Sequence, residues 1–261
     1  MSDRRLAEAP AQKKPQRRGR FWLALIAMIA ICAFAVYRSA LFRLDAVQVT
    51  GAKRLSTPQV MEIAGLTRGM PRWEHPAAAI EARLRQEPWI RSAHVQWQGN
   101  QVKIDIAERV PVGLLRYGDL FYLALDESGL ILEQVDLKSA PGLPVIADVT
   151  VTKAVRGQQL NHQGLSDALT VLATMAEPMR AQVSEVHVEA DRSLTLFMAA
   201  GATVQFGLVP DLERDRQSSV TQKIGLFGRY WNAAPRKQMT GCKIDLRVDG
   251  TMISSSGCPK A

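Results

Sequence analysis

The chain has 261 residues, 47% hydrophobic and 22% charged, with a formal net charge of +8 and three cysteines. Residues 1–20 hold seven Lys and Arg against two acidic side chains, a balance of +5, so the remaining 241 residues carry only +3. The high isoelectric point therefore belongs to a short polar tail of disordered composition, which argues against a nucleic-acid-binding face on a folded domain and removes nucleic acid as an expected partner.

Residues Phe21 to Tyr37 contain no charged side chain. As a helix this run is roughly 26 Å long, close to the hydrocarbon core of a bilayer, and Leu41 and Phe42 extend it if Arg38 snorkels. It predicts a transmembrane helix over residues 21–40, seated in membrane lipid. The basic flank keeps residues 1–20 in the cytoplasm and places the bulk of the chain on the outer side of the membrane. A cleaved signal peptide is the competing reading, with Ala33-Phe34-Ala35 imitating a cleavage site. The run continues through Val36 and Tyr37 without a polar region, which favours an uncleaved, single-pass anchor.

A first outer module is expected over residues 42–110. Val47 and Val49 lead to Gly51 in a short strand. Ser56-Thr57-Pro58 opens a helix, with Thr57 as a cap and Pro58 at a position that needs no N–H. Val60, Met61, Ile63 and Ala64 give that helix its apolar face, and Gly65 ends it. A second helix starts at Pro76, carries Ala77, Ile80 and Leu84 on one face, and stops at Glu87-Pro88. Ala93, Val95 and Trp97 alternate with polar residues, Gly99-Asn100 is a two-residue hairpin signal, and Val102, Ile104 and Ile106 alternate again. The order β-α-α-β-β over about 65 residues makes one apolar sheet face covered by two helices.

A second module is expected over residues 111–256, with a tail over 257–261. Short apolar runs flank turns at Tyr117-Gly118-Asp119 and at residues 126–129. Leu143 to Ile146 is extended, because a residue before proline avoids the helical region. Leu165, Leu169, Leu172 and Met175 mark a helix; Val183 to Val188, Leu194 to Met198 and Thr203 to Phe206 read as strands. Pro210-Asp211 starts a long helix in which Val220, Ile224, Phe227 and Trp231 share one face, with Arg214, Arg216, Lys223 and Arg229 assigned to the polar side. Lys243 to Val248 and Thr251 to Ser255 read as two strands around an Asp249-Gly250 turn. That register brings Cys242 and Cys258 near one another. A disulfide there would close a loop of about 17 residues, worth roughly 3 kcal/mol in the chain-entropy model. Cys32 lies in the apolar run.

The pattern Phe42-x-Leu44-x-x-Val47-x-Val49-x-Gly51, Leu55-Ser56-x-x-x-Val60, Gly65-Leu66, Ile80-x-x-x-Leu84, Pro88-Trp89-Ile90-x-x-Ala93-x-Val95 and Glu108-Arg109-x-Pro111 resembles a POTRA module. Directly after a single anchor, it resembles the FtsQ/DivIB family of bacterial cell-division proteins. The resemblance implies an α+β fold: one transmembrane helix, a POTRA (β-α-α-β-β) module, and a mixed α/β module with an open C-terminal edge strand. It further implies a non-enzymatic scaffold of the divisome at the septum, linking early and late division proteins and helping control septal peptidoglycan synthesis. The implied partners are the bitopic coiled-coil proteins FtsB and FtsL, with FtsK and other divisome components. The implied docking edge comprises Val248, Gly250, Thr251, Met252 and Ile253, because an edge strand offers unpaired backbone groups to an extended peptide. A POTRA-bearing assembly or chaperone factor for secreted or outer-membrane chains is the alternative. It calls for tandem modules or a following barrel, and neither is visible in the sequence.

No catalytic constellation competes with this reading. The histidines at 75, 94, 162 and 187 form no metal-spaced pair, the cysteines form no C-x-x-C, and no nucleophile elbow, Walker loop or dinucleotide fingerprint occurs. A hydrolase would need convergent titratable groups in a pocket, and the sequence names none, so no catalytic residue, metal or cofactor is expected.

Overall fold

The computed structural model of the chain describes residues 17–38, 43–118, 120–136, 142–234, 239–255 and 257–259. Most of the expected cytoplasmic tail (residues 1–16), the extension through Leu41 and Phe42, Asp119 of the expected turn, and residues 256 and 260–261 lie outside these.

The first helix, α1, runs over Arg17–Arg38. It begins inside the basic flank, ahead of the apolar run, and is described as far as Arg38; residues 39 and 40 of the expected span lie outside the described residues. Its described side chains at residues 21–35 are apolar on all sides and, apart from Leu25, exposed. That stretch is roughly 22 Å long at about 1.5 Å per residue. Among the described residues no helix is long and apolar enough to cross a membrane.

The next elements are β1 (Ala46–Thr50), α2 (Thr57–Ala64), a 3-10 turn (Arg72–Glu74), α3 (Ala77–Leu84), β2 (Ile90–Gln98) and β3 (Gln101–Glu108). They form the expected β-α-α-β-β order. Gln98 pairs with Gln101 across the two-residue turn, so β2 and β3 are antiparallel. The two-helix crossover then returns β1 to the far side of β3 in parallel, giving the order β1-β3-β2. Ser56, not Thr57, caps α2: its backbone N–H donates to the Gln59 side chain at 2.9 Å, half of a capping box. Val60 and Ala64 of α2 and Ile80 and Leu84 of α3 bury against Val95, Val102, Ile104 and Ile106 of the sheet. Gly51 is obligatory: its φ is +81°, and a Cβ there would stand 2.0 Å from the Ile106 carbonyl oxygen.

The described residues after β3 build one nine-stranded sheet. Its strands are β4 (Gly113–Tyr117), β5 (Phe121–Leu125), β6 (Ile131–Asp136), β7 (Val145–Ala147), β8 (Val183–Val188), β9 (Leu194–Met198), β10 (Thr203–Gly207), β11 (Lys243–Asp245) and β12 (Ile253–Ser254). The spatial order is β12-β11-β10-β9-β8-β7-β4-β5-β6. Helices α4 (Gln163–Thr174) and α6 (Glu213–Ala233), with the one-turn α5 (Glu177–Arg180), complete the module. Leu165, Leu169 and Leu172 of α4 and Val220, Phe227 and Trp231 of α6 share one core with Val186, Leu196, Val204, Phe206 and Ile244 of the sheet.

Three local expectations change. Helix α6 starts at Glu213, because Asp211 instead pairs with Arg192 at 2.9 Å. Lys223 is 2% exposed and lies within the buried stripe. It sits three residues after Val220 and four before Phe227, so helical geometry puts it on that face despite its charge. The expected two-residue hairpin at Asp249-Gly250 is a longer connection over residues 246–252, with shorter strands on either side. Ile244 stands opposite Ser254, where a turn centred between Asp249 and Gly250 would set it opposite Ser255. Side-chain ties draw the connection away from the ladder. Asp249 accepts from the Ser219 hydroxyl at 2.8 Å and pairs with Lys223 at 3.3 Å, while Asp245 pairs with Arg247 at 2.6 Å.

The two modules meet through the motifs that carried the resemblance. The Glu108 carboxylate accepts the backbone N–H groups of Arg54 and Leu55, both at 3.0 Å, and so holds the loop after β1. The next residue, Arg109, faces the other way and donates to Asp126 at 2.7 Å in the β5–β6 turn, while its backbone N–H donates to the Trp89 carbonyl. Arg54 lies 4.0 Å over the Trp89 ring and pairs with Glu133 of β6 at 2.8 Å. Arg91–Glu127 and Arg156–Glu87 add ion pairs across the same junction.

Candidate functional site

Among the described residues, strand β12 is one edge of the nine-stranded sheet, with β11 as its neighbour. The Ser255 N–H donates to the Lys243 carbonyl at 2.9 Å, which fixes the phase of the antiparallel ladder. In that phase Ile253 and Ser255 turn their backbone groups toward β11, and Ser254 turns its N–H and C=O outward. Met252 is the last residue of the connection and precedes the strand. Among the residues singled out from the sequence, Ile253 lies in β12 with its side chain 60% exposed. Met252 packs partly against the main core. Val248, Gly250 and Thr251 belong to the connection before the strand. There the Thr251 N–H donates to the Val248 carbonyl at 3.2 Å, Gly250 takes a φ of +74°, and the Val248 side chain is 64% exposed. The five are thus a strand residue and the loop that leads into it, gathered at one corner of the sheet.

Residues outside the expected docking edge hold that corner in place. Lys223 donates to the Phe206 carbonyl at 3.1 Å and meets Asp249, so a buried ammonium clamps the loop to α6 and β10. The signal was available: a lysine at stripe spacing on a long helix needs an acidic partner, and Asp249 is one. Arg247 donates through its guanidinium and its backbone N–H to Asp245, whose carboxyl is held below its ordinary range chiefly by the Arg247 side chain. Beyond β12, Cys258 is joined to Cys242 by a disulfide with Cα atoms 4.8 Å apart. The Tyr230 hydroxyl donates to the Pro259 carbonyl at 2.8 Å, and burial raises its pKa. The chain after the edge strand is therefore pinned back on α6 and β11.

This corner offers backbone pairing and an apolar rim, with no nucleophile–base pair among the described residues. Among the described residues no group of three His, Cys, Asp or Glu side chains is placed to hold a metal ion.

Comparison with known proteins matches both modules in order. The FtsQ-type POTRA domain matches residues 42–109, and the C-terminal domain of the cell division protein FtsQ/DivIB matches residues 115–247. The second match ends at Arg247, so the edge residues from Val248 to Ile253 lie just beyond it. The cell division protein FtsQ of Myxococcus fulvus is 30% identical over 192 residues, covering 72% of this chain and 66% of that protein. FtsQ of Rhodothermus marinus is 26% identical over 255 residues, covering 94% and 89%. The solved major extracytoplasmic domain of DivIB from Geobacillus stearothermophilus aligns with 49% of this chain at 17% identity and a TM-score of 0.32, too low to carry a structural argument.

Proposed function

This chain belongs to the FtsQ/DivIB family of cell-division proteins, and from that membership we propose a non-enzymatic scaffold of the divisome, anchored in the inner membrane. The proposed division of labour is a basic cytoplasmic tail (1–20), an anchor (21–40), a POTRA module (42–110), a β module (111–256) and a short C-terminal tail (257–261). The anchor reading is supported by a helix whose described side chains over residues 21–35 are apolar and, apart from Leu25, exposed, beside a basic flank. The periplasm then holds both modules, an oxidising compartment suited to the Cys242–Cys258 bond.

The observation that carries the functional reading is the family match to residues 115–247, which ends just before the loop that leads into an exposed edge strand. A segment of FtsB, held beside FtsL, would add a strand along Ser254 and Met252, with Val248 and Ile253 as apolar contacts. FtsK and other divisome components would meet other surfaces. Tethering all partners to one membrane lets modest contacts combine into stable assembly, which is how the scaffold would recruit and time septal peptidoglycan synthesis. Depletion in growing cells tests the role: unseptated filaments are expected, and normal septation would contradict it.

A further inference from the structure

We infer that the face of the POTRA module around Trp73 docks onto the phospholipid headgroup layer of the membrane that holds α1, an inference that rests on the anchor proposed above. Three observations point to it. The Tyr37 ring, one residue from the end of α1, lies 4.9 Å from the Trp73 ring. Trp73 belongs to the 3-10 turn between α2 and α3 and is 43% exposed. A bitopic helix leaves the hydrocarbon at about this residue, so Trp73 is brought to headgroup depth.

The chain also gives little room for another arrangement. Only residues 39–42 lie between Arg38 and Arg43, a reach of at most about 18 Å even when fully extended. Arg43 bridges to Pro71, and Leu44 exchanges backbone hydrogen bonds with Met70 and Gly69. The segment 69–71 is thus bound to the first residues after the anchor.

The chemistry of the face fits a lipid surface. Arg72, Trp73, Pro76, Ala77 and Trp97 line an open groove of about 500 Å³. Arg72 lies 5.7 Å over the Trp97 ring, whose indole N–H donates to the His75 carbonyl at 3.1 Å. Arg43 and Arg68 are exposed on the same stretch, with Asp45 and Glu74 as the acidic neighbours. Tryptophan settles at the boundary between hydrocarbon and water, and guanidinium groups pair with phosphate. The groove accordingly seats a phospholipid headgroup, and the contact fixes the tilt of the POTRA module on the membrane.

The test uses the full chain in bilayer nanodiscs of phosphatidylethanolamine and phosphatidylglycerol, with a benzophenone amino acid at position 73 or, separately, at position 26 in α1. Lipid adducts are expected at both positions. Arg68→Ala should lower the yield at 73 by about fivefold, the scale of one basic residue near an anionic surface, and leave that at 26 unchanged. Discs of neutral phosphatidylcholine should also reduce the yield at 73. An adduct at 26 with none at 73, or with protein in place of lipid at 73, would overturn this inference alone. No lipid adduct at either position would remove the anchor and this inference with it.

Discussion

The phase of the β11–β12 ladder makes a prediction that separates docking from folding. Ser254→Pro deletes an N–H that points away from β11, whereas Ile253→Pro deletes one that points toward it. A backbone hydrogen bond contributes about 1 kcal/mol net, and the proline ring additionally blocks the approach of an added strand. Ser254→Pro should therefore weaken capture of the FtsB–FtsL pair by about tenfold, the equivalent of about 1.4 kcal/mol, while the melting transition stays within a degree or two. Met252→Pro should act in the same direction, with some loss of stability because Met252 also packs on the core. Ile253→Pro should lower stability and binding together. The assay is titration of the purified full chain with the partner pair, alongside a thermal melt of each variant. Undiminished affinity for both Ser254→Pro and Met252→Pro would refute strand addition at this edge.

Other outcomes follow from the same geometry. Cys258→Ala opens the 242–258 loop and should cost about 3 kcal/mol in denaturant unfolding, abolished as a difference when both proteins are measured under reducing conditions. Asp249→Ala leaves the Lys223 ammonium buried with the Phe206 carbonyl as its hydrogen-bond partner among the described residues; a loss of about 2 kcal/mol is expected, and Lys223→Met in that background should recover most of it. Burial pushes the Asp126 carboxyl up, but hydrogen bonds from Ser128, Leu130 and Arg109 outweigh it and hold it below the usual carboxylate range. Its contribution is therefore complete above the unfolded value of about 3.9 and disappears as pH falls through the lower folded value. Asp126→Asn should lose about 2–3 kcal/mol at neutral pH and show a shallower decline in melting temperature below about pH 4.

The POTRA module was legible because its signals are local and agree with one another. Alternating Val and Ile residues, the Gly99-Asn100 turn and the Ser56-Thr57-Pro58 start each specify one element, and the topology follows from their order. The Glu108-Arg109 pair was visible as a motif, but its use was not: one residue ties a loop inside the module and the next reaches across to Asp126. Such long-range pairing leaves no periodic trace. The C-terminal corner was read least well for the same reason. Asp249-Gly250 is a strong hairpin signal taken alone, yet Ser219 and Lys223, some 30 residues away in sequence, capture the Asp249 side chain and lengthen the loop. Lys223 itself was assigned to the polar face by residue type, although its spacing placed it among Val220, Ile224 and Phe227.

Photocrosslinking from position 254 in dividing cells tests the central proposal most directly, because it reports compartment, partner and edge together. A bilayer-tethered platform that recruits by adding a strand predicts adducts to the small coiled-coil division proteins, lost when Met252→Pro is introduced nearby. Cells that divide normally with position 254 crosslinking only to water, or to cytosolic proteins, would contradict it.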